Sequence, residues 1–512
     1  MPPIDFEGNL RFDSNPVGIA SPALVALLAV AFLYPILLCA LAFPTPFGDL
    51  REQINWGLQF PLYTWKHPPL QSWIAGVVAL SGARDAWSYM LVAQLLNLLG
   101  FCYVAAAAQL LLGRSSAVAA LIALCSGLYF IGCIPTEALN ADQLLFPLWS
   151  GILYHLVRAL RKDLWRDWIA LGLLCGLSLL AKYFSLALIA VLAANLLWIS
   201  AYRRVFRNPR FYTAGFLCAV LFLPTAVSIL QHSNALQYSY GRFYLKPFEL
   251  RWDEHLALCI VSPLIYATPF VIGLGLSVRR KTARFGMRLD DESRLVVITA
   301  SALFAFVLLL VLFAGLDFSP RFLNALYGFG ILSVLCTARL TPTAVRYCLR
   351  MALCGWAVCL VGTAVYASCF VNNPLREPAP AAAAIIQHSW NSQFRCGPAY
   401  IVGNDRSAQA VALYFKGIVT GVSIGDWLHA QWVDRDRLRR FGAVVIATPA
   451  NLADADFYSM LQKQTPRESV ELPYRHTLST TRHVYVYSFV APTDCDSHSG
   501  LDNARGKAVE IR

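Results

Sequence analysis

The sequence predicts a polytopic α-helical membrane protein with a small α/β domain at its C-terminal end. Three observations carry that expectation. First, 57% of the 512 residues are hydrophobic and only 14% are charged, with a mean hydropathy of +0.53; soluble domains rarely have this balance. Second, long apolar runs recur from about 21 to about 371, and a helix of roughly 20 apolar residues crosses about 30 Å of hydrocarbon. Third, the composition changes after Asn372-Asn373-Pro374, where polar residues return and apolar runs shorten to strand length.

Eleven spans are expected, at about 21–42, 86–112, 115–133, 143–160, 167–182, 184–201, 212–232, 257–277, 295–315, 322–338 and 350–371. The first starts near Ser21 and has no clear small-residue cleavage site after it, so it is expected to stay as a helix and anchor. With the N-terminus inside, the inside loops gather cations: Arg158, Arg161, Lys162 and Arg166; Arg203, Arg204, Arg207 and Arg210; Arg279, Arg280, Lys281 and Arg284. The outside loops hold fewer, among them Arg51, Lys66, Lys182 and Arg321. This positive-inside pattern accounts for the net charge of +12 without a nucleic-acid partner. An odd number of spans then places the tail outside.

The first outside loop, roughly 43–85, is long and rich in aromatics. Trp56, Phe60, Tyr63, Trp65 and Trp73 favour the headgroup zone, so one or two short helices lying on the membrane surface are expected. The fourth, roughly 233–256, carries Tyr238, Tyr240, Arg242, Tyr244, Lys246, Arg251 and Trp252. The chain is expected to divide into a membrane domain, 1–374, and a C-terminal domain, 375–512. Pro378 to Ala384 reads as a Pro/Ala-rich linker. Beyond it, strands are expected at Ala399–Val402, Ala443–Thr448 and His483–Val490, and helices at Ser407–Lys416 and Asp454–Gln464. That order favours a sheet with helices packed on it. Of the 14 cysteines, only Cys396 and Cys495 lie in the polar tail; a tail outside the cytoplasm would let them form a disulfide.

The residues able to carry chemistry lie in the outside loops. Asp49 and Glu52 stand at the outlet of the first span, where a carboxylate can act as general base on an acceptor hydroxyl; alternatively, their spacing fits a helix-capping pattern. Lys66-His67-Pro68-Pro69 offers an ammonium for a phosphate and two prolines that fix the direction of the next segment. Glu137, Asn140 and Asp142 lie between the third and fourth spans, with Asp142 placed either for function or as an N-cap. Lys182-Tyr183 sits so deep in apolar sequence that the lysine needs an anionic partner. Arg321 offers a guanidinium fork to phosphate, or pairs with Asp317. No glycine-rich nucleotide loop, CxxC pair or HExxH helix is present. The outer carboxylates leave room for a divalent metal, but no metal-ligand motif requires one.

An acid after the first membrane helix, followed by Tyr63-Thr64-Trp65-Lys66-His67-Pro68-Pro69-Leu70 and Trp73, resembles the bacterial members of the protein mannosyltransferase-like glycosyltransferases, which have the GT-C fold. Leu139-Asn140-Ala141-Asp142 and Ala181-Lys182-Tyr183 are similar to further positions of that family, which includes the aminoarabinose and galacturonic acid transferases of lipid A. The resemblance spans roughly 20–340. It implies a multi-pass inner-membrane enzyme with a periplasmic tail, passing a sugar from a polyprenyl-phosphate donor to a glycolipid or glycan acceptor on the outer face. It implies catalytic roles for Asp49, Glu52 and Asp142. Lys66, His67, Lys182, Tyr183 and Arg321 would hold the donor phosphate. One departure is that Leu50 follows Asp49 where many relatives have a second acid, so Asp49 is expected to act alone.

Two other classes compete. A lipid or glycolipid flippase or transporter would place its polar residues near the bilayer midplane, whereas these charges fall at helix mouths. An envelope scaffold would use the tail as its binding module and leaves the first-loop cluster unexplained.

Overall fold

The computed structural model describes residues 22–127, 139–232, 253–286, 289–369, 373–403, 406–417, 419–430, 432–447, 465–477 and 480–494. Each expected span is helical where described: α1 (Pro22–Leu41), α4 (Ala86–Leu112), α5 (Arg114–Cys125), α6 (Ala141–Lys162), α7 (Trp165–Ala181), α8 (Ser185–Trp198), α9 (Pro209–Gln231), the pair α10 (Glu254–Tyr266) and α11 (Thr268–Arg279), α12 (Asp291–Phe313), α13 (Asn324–Thr337) and α14 (Pro342–Cys369). Five of them are long and apolar enough to cross a membrane, and up to seven spans result if each sharply bent pair counts as one. The other expected spans are shorter or more charged: α5 has 12 residues, α13 has 14, and α6 carries Asp142, Arg158, Arg161 and Lys162.

The bundle core runs through α4, α5, α6 and α13, where Phe101, Ile122, Phe146, Trp149, Ile152 and Phe329 are buried. Many large apolar side chains on α1, α9 and α14 face outward, including Leu41, Phe216, Leu230 and Val358. Lipid is the solvent that suits such a surface.

The loop between the first two expected spans contains two helices, α2 (Asp49–Gly57) and α3 (Leu70–Leu80). The expected surface position fails for α2, in which every residue from Leu50 to Gly57 is buried. Trp56, Tyr63 and Trp65 are buried too, while Phe60 stays exposed. The reason is the tail, which closes over the loop. Besides a short antiparallel pair between bundle helices, β1 (Ala283–Phe285) with β2 (Ala338–Leu340), the described strands belong to the tail's five-stranded sheet, of order β4 (Thr420–Val422), β3 (Tyr400–Val402), β5 (Ala443–Ala447), β7 (Arg482–Val490), β6 (Glu468–Pro473). The first three strands of that sheet are parallel, and β7 pairs antiparallel with both β5 and β6.

The expected linker at Pro378–Ala384 is instead the beginning of helix α15 (Ala379–Gln393). Alanine is the strongest helix former, and proline is tolerated in a first turn. The tail continues with α16 (Arg406–Ala412), α17 (Ile424–His429) and α18 (Arg435–Phe441). Ala379, Ala382, Ala383, Ile386 and Trp390 of α15 pack on Ile401, Val444, Tyr485 and Phe489 of the sheet. Cys396 is disulfide-bonded; Cys495, its expected partner, lies outside the described residues, as do the helix expected at Asp454–Gln464, Glu137 and loop residues 233–252.

Edge strand β4 does not face solvent. Asn55 of α2 accepts from the Gly421 N–H at 2.6 Å and donates to the Gln409 carbonyl at 3.3 Å, and Gln59 donates to Thr420 Oγ1 at 2.7 Å. Covering an edge satisfies its open backbone groups, and here it fastens the tail to the loop that bears Asp49.

Candidate active site

Helix α2 begins at Asp49 because Gly48 turns the chain with φ 57° and ψ −131°, a conformation that glycine adopts readily and other residues avoid. No side-chain cap forms at this end, so the capping reading of Asp49 and Glu52 does not hold. Their three-residue spacing puts both carboxylates on one face of α2, at the helix end that favours negative charge. Lys66 reaches both: its Nζ lies 2.7 Å from Asp49 Oδ1 and 2.8 Å from Glu52 Oε2. One ammonium thus joins the two acids despite the intervening Leu50.

The turn carrying Lys66 is stitched by Thr64. Its hydroxyl donates to the His67 carbonyl at 2.7 Å and accepts from the His67 N–H at 3.1 Å. Pro68 and Pro69 follow, and α3 starts at once with Leu70. Where α2 and α3 cross, their backbones touch: a Cβ on Gly57 would lie 2.0 Å from the Ser72 carbonyl oxygen.

Two further pieces approach from the bundle. Asn140, not Asp142, caps α6 by accepting from the Gln143 N–H at 2.8 Å. Asp142 is thereby left to meet Lys182, whose Nζ lies 2.5 Å from Asp142 Oδ1 and 4.5 Å from the centre of the Phe322 ring. Arg321, in the short turn Pro320–Leu323, places Nη1 3.2 Å from Asp49 Oδ2 and Nε 4.0 Å from Asp142 Oδ2; Asp317 meets His255 at 3.4 Å. The six charges thus alternate in one chain: Glu52, Lys66, Asp49, Arg321, Asp142, Lys182. Alternation is what partly buried charges require, since an uncompensated one is costly.

The chain of charges stands at one end of a cavity of about 960 Å³. Lys66, His67, Pro68, Asp142, Lys182 and Tyr183 line that end; Leu186, Ala187, Ala190 and Val191 of α8 and Ala302, Ala305, Phe306 and Leu309 of α12 line the rest. A charged mouth on an apolar trough suits an amphiphile with an anionic head. His67 is held neutral, because burial, reinforced by the neighbouring Lys66 ammonium, pushes its pKa well below the usual histidine range. A divalent metal does not fit the acid pair as it stands: Lys66 fills the bridging position, and among the described residues no group of three His, Cys, Asp or Glu side chains is gathered to hold an ion.

Sequence reasoning missed the supports behind the acids. Arg51 is buried and forms a 2.7 Å ion pair with Glu377 just before the tail helix, while its Nη2 donates to the Pro374 carbonyl at 3.0 Å. Burial raises the Glu377 carboxyl, but Arg51 and His483 outweigh it and hold it below its ordinary value. Arg475 and Tyr414 of the tail both meet Asp85, at 3.1 and 2.8 Å. The only sequence signal for these contacts was an arginine and an aspartate in a loop already crowded with charge.

Residues 66–227 match the family described as dolichyl-phosphate-mannose-protein mannosyltransferase. No curated protein matches the sequence. Among solved structures, ArnT from Cupriavidus metallidurans in the apo state is similar at 14% identity and a TM-score of 0.61, covering 91% of this chain and 98% of that one. The same enzyme bound to undecaprenyl phosphate gives 15% identity and a TM-score of 0.59, covering 94% and 100%. The Archaeoglobus fulgidus oligosaccharyltransferase lies further off, at 10% identity and a TM-score of 0.46, covering 86% and 69%. The chain has the fold of ArnT, which is the GT-C fold that the first-loop residues led us to expect.

Proposed function

We propose that this protein is a membrane glycosyltransferase of the GT-C type, moving a sugar from a polyprenyl-phosphate donor to an acceptor on the outer face of a bacterial inner membrane. The acceptor is lipid A or another envelope lipid or glycan, and residues 375–512 form a periplasmic domain on the catalytic part, 1–374. The observation that carries this reading is the apolar cavity ending in Lys66, Lys182 and Asp142. The family match over residues 66–227 and the ArnT structure bound to undecaprenyl phosphate support the donor class.

In this reading the isoprenoid lies along α8 and α12, and its phosphate enters the alternating charges. Lys66, Arg321 and Lys182 each exchange part of a carboxylate contact for a phosphate oxygen, an exchange that frees Asp49 near the reacting carbon. The acceptor hydroxyl attacks the anomeric carbon, its proton passes to Asp49, and the bond from that carbon to the phosphate oxygen breaks. Polyprenyl phosphate leaves with its charge held by the same cations. Glu52 keeps Lys66 oriented, Asp142 does the same for Lys182, and neutral His67 and Tyr183 line the phosphate end.

The donor half is tested by titrating undecaprenyl phosphate onto the purified protein in detergent. Lys66→Ala is expected to weaken binding about tenfold or more, the loss of one charge-assisted contact. Equal affinity in the two proteins would remove Lys66 from the phosphate site.

A further inference from the structure

The tail grips the site loop through one carboxylate. Asp426 is fully buried on the first turn of α17. Its Oδ1 accepts from Trp56 Nε1 at 2.6 Å and from Trp65 Nε1 at 2.9 Å. Its Oδ2 accepts from the Ser423 N–H at 3.0 Å, the Ser423 hydroxyl at 2.9 Å and Gln409 Nε2 at 3.5 Å. A carboxylate taken this far from water is tolerated only when its lone pairs are met by donors, and here five meet it. Burial still pushes its pKa up to about 6.

What those two indoles are attached to matters most. Trp56 lies four residues beyond Glu52, one turn further along the same helix face. Trp65 is covalently joined to Lys66. A single oxygen therefore holds segment 56–65 at both ends, and each held end is one step from a member of the Glu52–Lys66–Asp49 contact. The two indoles pack edge-to-face with centres 5.9 Å apart, and Trp432 of the tail packs on Trp56 at 6.5 Å. None of the described residues lining the cavity comes from the tail.

We infer that Asp426 is a positioning residue for the site: by holding Trp56 and Trp65 together it sets Lys66 between Asp49 and Glu52. The C-terminal domain thus completes a site to which it lends no lining group. The consequence for donor binding rests on the function proposed above, whereas the placement of Lys66 can be measured without it.

The test uses the full-length protein in detergent and the Asp426→Asn variant. Amine-reactive labelling of Lys66, followed by peptide mass spectrometry, reports whether its ammonium is still held. Lys182, paired to Asp142 within the bundle, is the internal control. Asp426→Asn is expected to raise Lys66 labelling about tenfold and leave Lys182 within about twofold, as a local opening does. Trp65→Phe keeps an aromatic ring at that position but removes the N–H donor, and should repeat the effect; it also serves if Asp426→Asn does not fold. In the double variant the two changes should not add, because they break one interaction. Unchanged Lys66 labelling in folded Asp426→Asn and Trp65→Phe proteins overturns the inference, since a role confined to stability would lower the melting temperature alone. If labelling rises while wild-type protein does not bind undecaprenyl phosphate, the positioning role stands and the donor assignment falls.

Discussion

Lys66 is set between two carboxylates that are themselves largely buried, with side-chain exposures of 8% for the lysine, 12% for Asp49 and 8% for Glu52. Removing it leaves two acids facing each other, so Lys66→Ala should destabilise the protein by about 3 kcal/mol as a broken buried pair does. Adding Glu52→Gln relieves that repulsion and should recover part of the melting temperature; no recovery would mean the acids are not coupled through Lys66. His67 supplies a pH signature. Its folded form stays neutral, because burial and Lys66 push its pKa far down, while the unfolded chain binds a proton near pH 6.5. Below about 6.5 the unfolded state therefore holds more protons, and stability falls as the pH drops towards the folded-state pKa. Asp426, with its raised pKa, contributes the opposite sign near pH 6, so the His67 contribution is read as a difference: in melting curves from pH 5 to 8, His67→Gln should lose less stability on the acid side than the wild type. Asp49, Lys66, Asp142, Lys182 and Arg321 were legible individually as charges at helix outlets. Their linkage was not, since Arg321 meets Asp49 across 272 positions of sequence.

At the scale of elements, α2 is placed by contact with α3 on one side and the tail on the other. The crossing has no room for a methyl group, as a Cβ on Gly57 would lie 2.5 Å from the Gly76 nitrogen and one on Gly76 would lie 2.3 Å from the Gly57 oxygen. Gly57→Ala should cost about 1–3 kcal/mol through overpacking and lower transfer as well, because α2 carries both acids. Gly215→Ala is the control, since nothing lies within 4 Å of its added methyl. Equal stability and activity in the two variants would show that the crossing does not set the site. The helices themselves were readable from apolar run length. Helix α15 was not, because an alanine run behind prolines reads equally as a linker until the sheet behind it supplies a surface to pack on. Strand β4 was missed for a related reason: three residues, Thr420–Val422, give no usable period, and the edge they form is completed by Asn55 from the far end of the chain.

Across the whole molecule, a bundle with an apolar cavity and a small sheet domain meet at the first loop. The seam holds Arg51 with Glu377, Asp85 with Arg475, and two indoles with Asp426. Two of the aromatics that suggested a headgroup belt, Trp56 and Trp65, are instead part of the surface on which the tail sits. That difference follows from chain topology: composition can say that Trp56 and Trp65 seek an amphipathic setting, but not whether lipid or protein provides it. The proposed chemistry at that meeting point is sugar transfer with Asp49 as base. It is tested most directly by mass spectrometry of envelope glycolipids and glycans from cells carrying the wild-type protein, no protein, or Asp49→Asn at equal membrane abundance. We predict a sugar-bearing species that is present with wild type, absent without the protein, and reduced by about 10²–10⁴ with Asp49→Asn, the range expected for loss of a general base. Identical profiles from wild-type and protein-free cells would contradict the glycosyltransferase, and full modification by Asp49→Asn would contradict the catalytic assignment.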